Sequence, residues 1–293
     1  MASGTSTAGR RLKQGAISLG WALAGVLIAI LLWEGVKLLG TVVTLPFETS
    51  NQAMPHVWTI AEGALAPEVR GSDTPVWVTV LRAAIYTLLI AFGGFIIGVA
   101  VGLLLAIVMQ RFAFFERGLL PFVIASQTVP LIALAPLIVG IGNRISFGPF
   151  QWGQTQSIMF IAAYLAFFPL SVGALRGLQA ATPTQLELMR SYAATPRATL
   201  WKLRFPASVP YLVPALKVSA AAAVVGTVVA QISTGDRGGV GRLIIEYARE
   251  ASSQPAKVYV AVIGAIIVGL IAAGLVALLD LYLTRNLPKE RLT

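Results

Sequence analysis

Residues 83–109 read AAIYTLLIAFGGFIIGVAVGLLLAIVM, with no charged side chain. A helix crossing the hydrocarbon core needs about 20 apolar residues. A soluble helix of that length would carry a polar stripe. This run, extended to Val78–Met109, is therefore read as a membrane span. Five further stretches read the same way: Ala16–Leu39, Leu119–Gly142, Ser157–Leu175, Val209–Ile232 and Val258–Leu283. Charged residues make up only 12% of the chain, against about 25% in soluble domains. The expected fold is all-α, a polytopic membrane protein with six transmembrane helices. The first stretch lacks a small-residue cleavage site before Glu34 and reads as a retained span rather than a signal peptide. The expected organisation is a cytoplasmic tail (1–15), a first helix with an outer loop (16–77), a core of five helices (78–283) and a second cytoplasmic tail (284–293).

Lys and Arg gather on the cytoplasmic side of spans. With the N-terminus inside, the inner segments hold Arg10, Arg11, Lys13, Arg111, Arg117, Arg176, Arg190, Arg197, Lys202, Arg204, Arg285, Lys289 and Arg291. The outer ones hold only Arg70, Arg144, Arg237, Arg242, Arg249 and Lys257. Both termini are thus expected in the cytoplasm. The net charge of +10 is mostly a topology signal, and no soluble domain presents it to nucleic acid. With no cysteine, disulfides and thiolate metal sites are excluded. The single histidine, His56, is expected to be a solvated loop residue. Glu34 is the most deeply placed carboxylate, and Lys37, three residues on, is positioned to pair with it.

Gly94, Gly98 and Gly102 recur every fourth residue, as do Ala222, Gly226 and Ala230. Small residues on one helical face allow close backbone approach in lipid. Such a face serves either ordinary packing or a sliding interface.

Between the fourth and fifth spans runs a cationic loop, 176–206. Thr182 and Pro183 suit an N-cap and first helical position, and the helix is expected to continue over Leu186–Ala194. Pro196 is expected to interrupt it, with a second helix over Arg197–Phe205 before Pro206 and Pro210 punctuate the next span. The loop is rich in apolar groups (Leu186, Met189, Tyr192, Leu200, Trp201, Leu203) set among Arg190, Arg197 and Lys202. That composition fits a partner-docking surface and equally an amphipathic segment on anionic lipid.

The segment Leu186-Glu-Leu-Met-Arg-Ser-Tyr-Ala-Ala-Thr-Pro, followed by Leu200-Trp-Lys-Leu-Arg-Phe-Pro206, resembles the cytoplasmic coupling loop of ATP-binding-cassette importer permeases. That pattern is Glu-Ala-Ala, three residues, Gly, then Leu-Pro. Glu187 matches the glutamate. Leu188 and Met189 replace the alanines, Ala193 the glycine, and Phe205-Pro206 the Leu-Pro. Arg82 with Phe92–Gly102, Pro130–Pro136 and the run Gly238–Ile244 resemble other parts of the same family in the same order, over Val78–Leu283. The resemblance is to the nitrate/taurine/sulfonate branch, and Met189–Ala194 is also similar to riboflavin and thiamine-pathway pyrimidine members.

The resemblance implies a permease subunit of a binding-protein-dependent importer. Its partners would be a cytoplasmic ATPase dimer, a second permease chain (identical or paralogous), an extracytoplasmic substrate-binding protein and membrane lipid. ATP and Mg would belong to the ATPase. This chain has no G-x-x-x-x-G-K-[ST] phosphate loop, no expected cofactor or metal, and no catalytic constellation. The residues expected to meet the ATPase are Glu187, Met189, Arg190, Tyr192, Ala193, Ala194, Arg197 and Leu200. Polar and aromatic groups within spans mark the candidate pathway: Gln127, Thr128, Tyr164, Phe167, Thr227 and Gln231. Their alternative role is helix–helix hydrogen bonding. An aromatic, neutral-polar lining favours a heteroaromatic solute such as riboflavin or a thiamine-pathway pyrimidine. Nitrate, taurine or another sulfonate is the alternative. An ion-coupled secondary transporter, the rival class, would need mid-membrane ionisable groups, which the centres of spans two, three, four and six lack.

Overall fold

The computed structural model describes the backbone of residues 5–44, 46–69, 71 and 73–283. The expected tail 284–293, with Arg285, Lys289 and Arg291, lies outside the described residues, as does Arg70. In chain order the helices begin with α1 (Thr5–Val42), α2 (Val57–Leu65), α3 (Val76–Arg111) and α4 (Ala113–Ala125). They continue with α5 (Leu131–Gly142), α6 (Gln154–Gln179), α7 (Pro183–Ser191) and α8 (Pro196–Thr199), and end with α9 (Phe205–Thr234), α10 (Val240–Arg249) and α11 (Pro255–Leu283). A two-residue hairpin, Ser146–Phe147 against Phe150–Gln151, joins α5 to α6.

The chain is an all-α membrane protein. Five helical segments are long and apolar enough to cross a bilayer: Gly20–Val42, α3, α6, Pro196–Thr234 and Pro255–Leu281. The pair α4 and α5 makes a sixth if it counts as one span. Large apolar side chains such as Leu89, Ile97, Leu104, Val225 and Leu270 are exposed, which water would penalise and lipid tails do not.

The third expected span, Leu119–Gly142, is not one straight helix. Ala113–Thr128 and Leu131–Gly142 meet at a bend of 101°. Val129 and Pro130 are both extended, at ψ 126° and 109°. Pro130 has no N–H to continue the ladder, and its ring drives the preceding residue out of the helical region. Hydropathy alone does not see that break.

The described residues fall into two compact units. The first comprises residues up to Val76 with Tyr247–Val260. Here the sequence-based pairing of Glu34 with Lys37 is replaced by longer-range partners. Glu34 meets His56 Nδ1 at 2.7 Å and accepts the Val57 N–H at 2.8 Å, so it caps α2 from outside. Lys37 donates to Asn51 Oδ1 at 2.6 Å and to the Met54 carbonyl. His56, expected to be solvated, is thereby engaged, and it stacks on Trp58. Burial of Lys37 is tolerable because its ammonium is hydrogen-bonded.

The second unit comprises Trp77–Glu246 and the residues from Ala261 onward. Helix α6 is its axis, with Ile158, Ile161, Ala166 and Leu170 wholly buried. The glycine stripe of α3 lies on it. A Cβ at Gly98 would come within 2.7 Å of Ala166 Cβ and 2.8 Å of the Ala163 carbonyl, and one at Gly94 would collide with Ala162 Cβ. Only hydrogen fits where two backbones approach this closely. On α9, Gly226 lies against Ala162 and Leu165, so both small-residue faces are packing surfaces of α6.

Candidate functional site

The loop after α6 carries all of the expected docking residues. Thr182 caps α7: its Oγ1 accepts from the Gln185 N–H at 3.3 Å, while the Thr182 N–H donates to Gln185 Oε1 at 3.0 Å. This is a capping box with Pro183 at the first helical position, as the sequence suggested. The helix ends at Ser191, short of the expected Ala194. Ala193 turns left-handed at φ 50°. Its N–H donates to the Arg190 carbonyl at 2.9 Å and that of Ala194 to the Met189 carbonyl at 3.0 Å. These two bonds define a Schellman stop, whose left-handed position ordinarily holds glycine. That explains physically why the resembled pattern has glycine where this chain has Ala193.

Pro196 does not interrupt a helix; it opens one. Thr195 is the cap, its Oγ1 accepting from the Ala198 N–H at 3.2 Å. Helix α8 then runs through a π-helical turn, Leu200–Arg204, into α9. Pro206 and Pro210 were expected to punctuate this entry but lie within the helix, as does Pro214. Spaced four apart, all three sit on one exposed face, so the carbonyls they leave unbonded point away from the α6 contact. The Arg204 guanidinium donates to the Leu178 carbonyl at 2.7 Å, capping the end of α6.

Of the expected docking residues, Glu187, Arg190, Tyr192, Ala193 and Arg197 are exposed, while Met189, Ala194 and Leu200 are half-buried. Leu200 packs against the core formed by Met109, Leu175 and Leu178, so it anchors the loop. Tyr192 is 75% exposed, and Leu188 and Trp201 exceed half exposure. Leu188 was missed as a surface group because the sequence comparison treated it only as a replaced alanine.

The expected pathway residues do not converge. Gln127 and Thr128 are exposed in the short 3-10 turn before the Val129–Pro130 break. The Tyr164 hydroxyl donates to the Ser126 carbonyl on that same turn, and its ring lies 5.8 Å from that of Phe167. Thr227 is wholly buried and donates to the Ala223 carbonyl of its own helix at 2.8 Å. Gln231 is also wholly buried. Its Oε1 accepts from Thr87 Oγ1 at 3.0 Å and from the Gly241 N–H at 3.3 Å. Thr87 Oγ1 in turn accepts the Val240 N–H at 3.0 Å. Thr87 and Gln231 therefore cap the first turn of α10 from two other helices. Gly239 permits this, since a Cβ there would collide with the Gln231 side chain.

Beside this latch lies a cleft of about 520 Å³. Arg82, Arg237 and Arg242 line it together with Thr79, Tyr86 and Glu246. Arg242 is paired with Glu246 at 2.5 Å and also donates to the Gly235 carbonyl. Asp236 is buried beside it; the Tyr86 hydroxyl donates to Asp236 Oδ1 at 3.5 Å and lies 3.2 Å from the Thr155 hydroxyl. Burial pushes the Asp236 carboxyl above its ordinary range, opposed by the Tyr86 hydroxyl, the Arg242 charge and the Arg237 N–H. By sequence, Arg237 and Arg242 were topology markers and Arg82 was only a part of the family resemblance. Only the fold brings residue 82 beside residues 237 and 242.

The model of the family described as "Binding-protein-dependent transport system inner membrane component" matches residues 98–285. The chain is 31% identical over 145 residues to the formylaminopyrimidine transport permease protein ThiX of Halalkalibacterium halodurans, covering 50% of this chain and 54% of that protein. The match thus spans about half the length of that relative. It is 28% identical over 274 residues to the putative aliphatic sulfonates transport permease protein SsuC of Bacillus subtilis, covering 92% of this chain and 89% of that one. A crystal structure of an amino acid ABC transporter with histidines shares the fold at TM-score 0.54 and 18% identity, over 69% of this chain and 92% of that one.

Proposed function

This chain belongs to the family of binding-protein-dependent transport system inner membrane components, and from that premise we propose that it is the permease subunit of an ATP-driven importer whose α7 surface docks the ATPase. The observation that carries the docking role is the geometry of α7. A rigid helix, capped at both ends, presents Leu188 and Tyr192 to solvent with Glu187, Arg190 and Arg197 exposed around them. Apolar anchors within a charged rim are the anatomy of a protein interface. The half-buried Leu200 and the bond from Arg204 to Leu178 tie that surface to α6 and α9, so a push on α7 is delivered to the spans rather than absorbed in a loose loop.

In this reading a cytoplasmic ATPase dimer holds ATP and Mg, a second permease chain completes the pathway, and an extracytoplasmic binding protein delivers the solute. Both termini face the cytoplasm. The solute is a small nutrient. A heteroaromatic vitamin or precursor is supported by the Tyr164–Phe167 pair and by the likeness to ThiX. A sulfonate is supported by the likeness to SsuC along nearly the whole chain.

The test is reconstitution in proteoliposomes with candidate ATPase and binding-protein subunits, followed by uptake of labelled riboflavin, a thiamine-pathway pyrimidine and taurine. Saturable, ATP-dependent uptake of one of them is the expected result. Uptake that follows an ion gradient without ATP would replace this reading with a secondary transporter.

A further inference from the structure

We propose that the cleft lined by Arg82, Arg237 and Arg242 is a subsite for the oxyanion head of the transported solute, a sulfonate in the first instance. The inference rests on the importer reading above and extends it to a substrate class. Neither Arg82 nor Arg237 makes an ion pair with any described residue. Two guanidinium groups thus line one cleft without an ion-pair partner among the described residues. Arg242 contributes a third, but it is held by Glu246 and the Gly235 carbonyl. Like charges side by side are costly, and a planar guanidinium fork matches an anion that offers two or three oxygens. Glu246, the one carboxylate on the lining, is already turned to Arg242.

The position suits a receiving site. Helix α3 has 36 residues, so at about 1.5 Å per residue it is about 54 Å long, well beyond a hydrocarbon core of about 30 Å. Arg82 lies less than two turns from its N-terminal end and is exposed. On the proposed topology that end is extracytoplasmic, where a solute leaves its binding protein. The floor is firm: Gly238 lies against the Tyr86 ring, where an added Cβ would come within 3.1 Å, and the Thr87–Gln231 latch fixes the start of α10 just below. A cleft of about 520 Å³ is within the range of small-ligand pockets. The neutral composition of the spans pointed to an uncharged ring; the cations needed for an anion are instead gathered at the mouth.

The shared chemistry is an oxyanion head group, which a lipid phosphate also offers, so the experiment separates the two. The full-length chain is placed in nanodiscs of phosphatidylcholine alone, and thermal unfolding is followed with butanesulfonate and with neutral butanesulfonamide. The sulfonate is expected to raise Tm saturably, with half-effect near or below ~1 mM, and the sulfonamide to do nothing. Arg82→Gln and Arg237→Gln are each expected to weaken the response about tenfold, the loss of one charge-assisted contact. Their Tm without ligand should not fall, because neither side chain has an ion-pair partner to lose and removing one of two like charges relieves repulsion. Equal protection by the sulfonamide, or an undiminished sulfonate response in the double variant, overturns the proposal. So does protection that appears only when phosphatidylglycerol is added, which would assign the arginines to lipid. The assay needs neither ATPase nor binding protein. Sulfonate protection without ATP-driven uptake would therefore keep the subsite and remove the importer reading, and uptake without protection would do the reverse.

Discussion

Thr87 Oγ1 donates to Gln231 Oε1 across 3.0 Å between two wholly buried side chains, and each of those atoms also accepts a backbone N–H from the first turn of α10. One hydroxyl and one amide oxygen therefore join α3, α9 and α10. Thr87→Val keeps the shape and removes the hydroxyl, leaving the Val240 N–H unpaired. The expected cost is roughly 1–3 kcal/mol, read as a lower Tm in detergent or nanodiscs. Thr87→Ser should retain most of the stability, and equal stability of the Val variant would deny the latch its role.

Ala193 occupies a left-handed position at φ 50°, where a side chain costs on the order of 1 kcal/mol. Ala193→Gly is expected to stabilise the loop by somewhat less than that, since glycine also gains freedom in the unfolded chain. Hydrogen exchange at Arg190–Ala194 should slow. Faster exchange in the glycine variant would show that the backbone there is unstrained.

Glu187→Lys and Ala193→Trp place a reversed charge and a bulky group on the exposed docking face. Both are expected to insert normally, yet to lower substrate-stimulated ATPase activity of the reconstituted importer at least several-fold. Unchanged ATPase activity in both would count against α7 as the coupling surface.

Asp236 has its proton affinity raised by burial, so the native state binds a proton there more tightly than the unfolded chain does. Its contribution is most favourable below the ordinary value of 3.8 and is lost as pH rises from there through the raised native value. Asp236→Asn removes the charge that burial disfavours. The variant should have a higher Tm at pH 7, with the gap closing toward pH 4. A gap that widens on acidification would reverse the sign and the explanation.

Gly98 meets both a side chain and a carbonyl of α6 within 2.8 Å of a built Cβ, whereas Gly118 on α4 has open space. Gly98→Leu should lower Tm by several degrees or abolish folding, since the obstacle is backbone and cannot yield. Gly118→Leu should change little. Comparable losses at the two sites would mean that the close approach of α3 to α6 does not matter.

The sequence by itself determined the membrane class, the positions of five spans to within a few residues, the cap at Thr182 and the family resemblance of the loop after α6. These are local properties: about 20 apolar residues must be helical in lipid because each backbone group has to find its partner within the segment. Tertiary structure decided what depends on residues distant in the chain. Glu34 chose His56 over Lys37, three residues away. Thr227 and Gln231 are wholly buried, and Gln231 bonds to residues of α3 and α10 that lie far from it in the chain. Pro210 and Pro214 were absorbed into α9 because they fall on a face with nothing to bury. The same reason places Arg82 beside Arg237 and Arg242: periodicity says which side of its own helix a residue occupies, but only packing says which other helix that side will meet.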